Sequence, residues 1–190
     1  KNLIKTLNKN CKYTLNNFWN SNDLNKILIK NNIKRPKLIT AIGMFYDLDD
    51  PSKFISDVEE VLDDDGVFIA QLMCLDSMLR KNDLGNICHE HLEYYTYDSL
   101  KYLFEKNGLK IFKLKKNDVN GGSFRIFCKK KAKKSISYKE KTTLKDIKQF
   151  MYRVEKNKKK CLKFLKNAKE KGKKVFIYGA STKGNTILQF

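Results

Sequence analysis

Asp63-Asp64-Asp65-Gly66-Val67-Phe68-Ile69-Ala70-Gln71-Leu72-Met73 joins an acidic turn to an unbroken, mostly apolar run, and its reading decides the fold. The Asp-Gly turn stops whatever precedes it, and Val67–Met73 reads as a buried strand. Upstream, Asp50 stands as a helix N-cap with Pro51 at the first helical position, where a missing N–H costs nothing. Phe54, Ile55, Val58, Val61 and Leu62 then step by three and four along one helix face. Further upstream, after Pro36, residues 37–45 read as another largely apolar, buried strand. Strand, helix and strand in that order predict two parallel strands joined by a crossover helix.

The same alternation continues downstream. A polar loop around Asp83-Leu84-Gly85 precedes Thr96, which caps a helix with Leu100, Leu103 and Phe104 inward and Asn107-Gly108 as its stop. Lys110–Leu114 alternates as a half-exposed strand, Asn120-Gly121-Gly122 turns the chain, and Ser123–Cys128 returns antiparallel. The expected fold class is therefore α/β, a doubly wound sheet with an antiparallel edge. In the opening residues Tyr13-Thr14-Leu15 reads as a short strand, and Ser21 or Asn22 as the cap of a helix striped by Leu24, Ile27 and Leu28.

Lysines at 129–134 mark a linker. Beyond it Leu144, Ile147, Met151, Val154, Cys161, Leu165 and Ala168 form one narrow apolar seam, broken at Lys158. The seam predicts a helix of roughly 25–30 residues packing along a neighbouring domain. Gly172 ends it. Lys174–Tyr178 reads as a new strand, followed by Gly179-Ala180-Ser181-Thr182-Lys183-Gly184-Asn185-Thr186 and a helix start. The expected division is 1–130, 131–172 and 173–190, the last being the opening of a second α/β domain.

Charge and cysteines narrow the function classes. The formal charge is +19, but only four of 40 basic residues are arginine, so lysines on solvated surface explain it better than dedicated phosphate contacts. A basic nucleic-acid-binding protein on an α/β scaffold is the alternative from another class. Cys11, Cys74, Cys88, Cys128 and Cys161 are scattered without a CxxC pair, which disfavours disulfides and structural zinc and suits a reducing cytoplasm. No run has the length of a membrane span.

Chemistry concentrates in Asn86-Ile87-Cys88-His89-Glu90-His91-Leu92-Glu93-Tyr94-Tyr95, which holds both histidines of the chain. Two histidines two apart could share a metal, yet there is no third, so a proton-transfer reading is more coherent. Tyr94 and Tyr95 could donate to an oxyanion. The loop at 179–186 has Asn185 where a phosphate-binding P-loop needs lysine, which argues against an NTPase. Its backbone N–H groups and Lys183 still suit an anionic group such as a diphosphate.

Together these residues carry a resemblance. The strand, Asp47-x-Asp49-Asp50-Pro51 and Asp-Gly order is similar to the second half of a class I S-adenosylmethionine-dependent methyltransferase. Three motifs, in order and spacing, resemble the sugar C-methyltransferase family: Cys88-His89-Glu90-His91-Leu92-x-Tyr94-Tyr95, then Asn120-Gly121-Gly122-Ser123-x-Arg125, then the loop at 179–186. The resemblance implies methyl transfer to a carbon next to a ketone in a nucleotide-linked deoxysugar. His91 is then the base and Glu90 its partner in positioning or sugar contact. His89, Tyr94, Tyr95, Asn120, Arg125, Ser181, Lys183 and Asn185 are the implied substrate contacts, and Gly43 and Met44 the implied cofactor contacts in this stretch. No metal is expected here; the family's zinc belongs to an N-terminal domain outside the chain. Cys88 stands where many relatives carry tyrosine, so the acceptor is open, and a methyltransferase with another small-molecule acceptor is the nearer alternative. The chain is expected to be an internal piece of a longer enzyme, inactive by itself.

Overall fold

The structure is a computed structural model that describes every residue except Lys1, Lys141 and Ala180, with the side chains of Asn2 and Leu3 also outside the description. Helices α1 (Asn2–Asn10) and α2 (Ser21–Lys30) precede strand β1 (Leu38–Ile42). Helix α3 (Pro51–Val61) leads to β2 (Val67–Met73), α4 (Leu75–Lys81), α5 (Tyr97–Lys106), β3 (Lys110–Asn117) and β4 (Ser123–Lys129). Helices α6 (Leu144–Glu170) and α7 (Thr182–Gln189) complete the chain.

The four strands form one sheet in the order β1-β2-β4-β3. β1 and β2 run parallel, Leu38 opposite Val67, as the strand–helix–strand reading requires. β4 runs antiparallel to both its neighbours, with Met73 and Asn117 each opposite Ser123. The carboxyl ends of β1, β2 and β3 and the amino end of β4 therefore share one edge of the sheet. In open α/β sheets that edge is where ligands bind.

Asp50 caps α3, its carboxylate accepting from Lys53 N–H at 2.8 Å, with Pro51 first in the helix. α3 and α5 cover the sheet through an aromatic cluster in which Phe45, Phe68 and Phe104 are fully buried. Phe68 stacks on Phe104 with ring centroids 5.9 Å apart. α6 extends over 27 residues and docks on α4 through Phe150 and Val154, while Arg153 donates to the Leu79 carbonyl at 2.6 Å.

Several expectations need correction. Tyr13–Leu15 forms no strand, and Tyr13 and Leu15 are exposed, lacking any strand to pair with among the described residues. α2 starts one residue early because Asn20, not Ser21 or Asn22, accepts from Asp23 N–H. β1 is buried on one face only: Leu38 and Ile42 are 57% and 53% exposed on the opposite face, while Ile39 and Ala41 between them are buried. Lys174–Tyr178 is not a strand: no described neighbour bonds to it, and the Phe176 and Tyr178 side chains are exposed. The seam of α6 is only partly covered; Leu144 and Cys161 face solvent, and Phe150, outside the seam, is buried. α1 and α4 went unanticipated. No helix among the described residues is long and apolar enough to cross a membrane.

The stretch after the lysines is a strap rather than a free tether. Ile136 N–H donates to the Ile111 carbonyl at 2.8 Å, Ser135 Oγ accepts from Ile111 N–H, and the Tyr97 hydroxyl bonds to the Ile136 carbonyl. Glu140 Oε2 accepts from the first N–H of α5, on Tyr97, at 2.6 Å. Burial raises the Glu140 carboxyl above the ordinary range, while that N–H and Lys116 pull it back. A raised folded value means the folded state holds its proton longer than the unfolded state does. Stability from this group is complete below the ordinary carboxylate value and falls as pH rises through the folded one. Glu140→Gln keeps an acceptor but cannot titrate. Urea midpoints across the acidic range should therefore show the natural protein losing ground to Glu140→Gln as pH rises through that window, and parallel curves would refute this.

Candidate active site

Four segments meet at this edge of the sheet: the turn at 43–47 after β1, the histidine segment at 86–94, the turn at 119–122 before β4, and the amino end of α7. Each is short and anchored by the backbone.

His91 is fixed from three sides. Its Nδ1 lies 2.7 Å from the Asn86 carbonyl, which the Tyr94 hydroxyl also reaches at 3.0 Å. A carbonyl oxygen can only accept, so Nδ1 carries a proton, and in the neutral ring Nε2 keeps its lone pair. The Tyr46 ring meets the imidazole edge-on, centroids 4.6 Å apart. The Tyr46 carbonyl accepts from both Leu92 and Glu93 N–H, at 3.0 and 3.2 Å, pinning the chain just after the histidine.

The surrounding polar groups respond to this crowding. Burial raises the Tyr46 hydroxyl, Asp47 and Cys88 add to the rise, and the Asn120 side chain opposes it. Asp47 is open to solvent on one side, yet partial burial raises its carboxyl; His91 lowers it and Glu90 raises it. Burial likewise lifts the Tyr94 hydroxyl. Glu90 Oε1 is 3.9 Å from His89 Nε2 and accepts from the Thr182 hydroxyl of α7 at 3.4 Å.

The structure brings together His91, Glu90, Tyr94, Asn120 and the start of α7. It separates others. His89 is 87% exposed at its side chain and sits on the rim. Tyr95 corrects an expectation: it is buried against Phe45, ring centroids 5.6 Å apart, so it is a core residue, and its hydroxyl has no partner among the described residues. Arg125 is engaged by a neighbour, its Nε and a terminal nitrogen donating to Gln71 Oε1 at 2.9 and 2.6 Å. Ser181 spends its hydroxyl capping α7, accepting from Gly184 N–H at 3.2 Å, and Asn185 is exposed. Ala180 of that loop lies outside the described residues. Lys183 pairs with Asp83 at 3.6 Å.

Gly43 ends β1 with φ of +69°, its N–H held by the Gln71 carbonyl at 2.9 Å. A Cβ there would meet only the Tyr46 hydroxyl, at 3.9 Å, so open space lies before it. Met44 beside it is half-buried.

Among the described residues, the cluster of possible metal ligands is Cys74, Asp76 and Glu140, away from both histidines. Asp76 is already held by Arg80 at 2.7 Å and Lys116 at 3.1 Å, and Glu140 by Tyr97 N–H, so a cation would have to displace them.

Tyr46, Asp47, Asp83 and Asn86 complete this geometry; the last three lie in stretches read above, but none of the four is a site candidate from sequence. The first two follow a strand's carboxyl end, which is a positional signal. Asn86 was quoted within its motif, but nothing in spacing reveals that its backbone carbonyl is the anchor.

Residues 7–114 match the model of the methyltransferase domain, more than half of the chain. The chain belongs to the methyltransferase family. Residues 118–190 match the C-methyltransferase C-terminal domain. The break between the two matches, residues 115–117, falls at the end of β3, although β4 pairs with β2 and β3 and so lies inside the same sheet. The chain is 28% identical to C-methyltransferase NovU of Streptomyces niveus, over 80% of this chain and 39% of NovU. It thus spans about two fifths of that relative's length. Solved structures overlap it more loosely. One, titled a pericyclic reaction enzyme, covers 51% of this chain and 27% of its own at TM-score 0.40 and 11% identity. Another, from a conversion of a disulfide bond into a thioacetal group during echinomycin biosynthesis, covers 59% and 63% at TM-score 0.38 and 7% identity. Overlaps of that size bear on neither reaction nor substrate.

Proposed function

We propose that the whole protein containing this chain methylates a carbon next to a ketone in a nucleotide-linked deoxysugar, with S-adenosylmethionine as donor and His91 as base. The observation that supports it is the 2.7 Å contact of His91 Nδ1 with the Asn86 carbonyl, which leaves Nε2 as a proton acceptor. Family membership and the C-methyltransferase C-terminal match favour carbon as the site of transfer.

The residues present fit a share of the cofactor's site. Gly43 offers an exposed backbone ledge with open space before it at the end of β1, and Met44 an apolar side chain beside it. When bound, S-adenosylmethionine supplies a methyl already made electrophilic by its positive sulfur. The work left to this chain is therefore to make and orient a carbon nucleophile. His91 Nε2 takes the proton from the carbon next to the ketone, and the C–H electron pair stays on the substrate as an enolate. The Asn86 carbonyl, still accepting from Nδ1–H, steadies the imidazolium that results. Glu90 lies between the histidine segment and α7, placed to contact the sugar. Lys183 and the amino end of α7 suit the diphosphate of a nucleotide.

The test is an acceptor panel on the whole protein with labelled S-adenosylmethionine, run in deuterated water. Label should enter nucleotide-linked keto-deoxysugars at carbon, and the acceptor alone should exchange its acidic C–H for deuterium. Label reaching oxygen or nitrogen, or acceptors without a ketone serving equally well, would overturn the reading.

A further inference from the structure

Asn86 is 1% exposed, the most deeply buried polar side chain beside the site, and none of the chemistry above uses that side chain. Its amide nitrogen donates to Asp83 Oδ2 at 2.7 Å and leans on the Asn120 carbonyl at 3.4 Å. Its Oδ1 has no partner among the described residues. The same Asp83 oxygen faces Lys183 Nζ of α7 at 3.6 Å. A single carboxylate therefore joins the residue whose carbonyl orients His91 to the segment that follows the long helix.

Two glycines show that this junction is closely fitted. A Cβ at Gly121, where φ is +79°, would lie 2.2 Å from Asp83 Oδ2. A Cβ at Gly85 would lie 2.9 Å from Lys183 Cβ. Any other residue at either place pushes on Asp83 or on Lys183. The close approach is thus required at Asp83 on one hand and at Lys183 on the other, by residues from two separate turns.

We propose that Asp83 and Asn86 are positioning residues that make the orientation of His91 depend on the docking of α7. Lys183 holds Asp83, Asp83 holds the Asn86 amide, and the Asn86 carbonyl holds the Nδ1–H form of His91. Loss of any link lets the 86–91 segment shift, the carbonyl leaves Nδ1, and the ring samples the form with its proton on Nε2, which cannot accept another. Seating a substrate against α7 and readying the base then become linked events. This rests on His91 being the base, but its primary readout does not.

That readout is the imidazole nitrogen spectrum of the whole protein with ¹⁵N-histidine, where the two neutral forms are distinct. His89, exposed on the rim, serves as the internal control. Asp83→Ala should move His91 from the Nδ1–H pattern to a mixture and leave His89 unchanged. It should also lower kcat by about 10–100-fold, the scale of a small misplacement at a reacting group, with KM within about threefold. Asp83→Asn keeps an acceptor for the Asn86 amide but removes the charge that holds Lys183, so it should move His91 less than Asp83→Ala does. Should Asp83→Ala not fold, Lys183→Glu replaces a partly exposed side chain with one that repels Asp83, and it should move His91 in the same direction. An unmoved His91 pattern in Asp83→Ala, or in Lys183→Glu where the first does not fold, overturns the proposal. If His91→Ala still turns over while Asp83→Ala shifts the pattern, the base assignment fails and the positioning network stands.

Discussion

His91→Ala in the whole protein is expected to lower kcat by about 10²–10⁴-fold, the range that a positioned general base supplies, while affinity for S-adenosylmethionine stays within about twofold. The asymmetry follows from position. His91 hangs from the Asn86 carbonyl and the Tyr46 ring, beyond the carboxyl ends of the strands, whereas Gly43 and Met44 sit on the turn that follows β1. The imidazole can be removed without disturbing that ledge, because Leu92 and Glu93 are pinned to Tyr46 through backbone bonds that alanine keeps. Steady-state kinetics with a saturating acceptor and calorimetric titration of the cofactor give the two numbers. Near-natural turnover would remove His91 as the base. Equal loss of cofactor affinity would make its role structural.

Phe45→Ala should destabilise the fold by about 3–5 kcal/mol, the cost of emptying a buried aromatic site. Phe45 is fully buried and touches three other rings: Phe54 at 5.9 Å, Tyr95 at 5.6 Å and Phe104 at 5.6 Å between centroids. It therefore bridges α3, α5 and the end of the histidine segment. A domain's net stability is only about 5–15 kcal/mol, so the variant should sit close to its unfolding transition at room temperature. The urea midpoint should fall steeply. Tyr46 and Asp47 follow in the same turn, so activity of the remaining folded fraction should fall too. A loss below about 1 kcal/mol in the denaturation curve would mean that the aromatic cluster is not the core.

Much of the fold was legible because its signals are local. Asp50-Pro51 caps and starts α3, Thr96 caps α5, and Asn107-Gly108 ends it, each through hydrogen bonds within a few residues of chain. The seam from Leu144 to Ala168 gave the length of α6 in the same way. Lys174–Tyr178 failed for the converse reason. An apolar run becomes a strand only if another backbone bonds to it, and none does among the described residues. β1 shows the same limit in milder form: its pattern reads as largely apolar and buried, but one face of it meets solvent, and which faces are covered is a tertiary matter.

The candidate site divides along the same line. By itself the sequence determined the chemical types: two histidines flanked by carboxylates, a Gly-Gly turn and a capped loop before α7, in an order that resembles one family. Tertiary structure alone decided which of them act together. Tyr95 went to the core against Phe45 and Tyr94 to the Asn86 carbonyl, although they are adjacent, because contacts beyond their immediate neighbours decided which way each ring turned. Arg125 went to Gln71 across the β2–β4 pairing, a partner 54 positions away in sequence. The proton on His91 is set by a backbone carbonyl, and a carbonyl is present at every position of any chain. Its direction is a property of the fold, and no residue code records it.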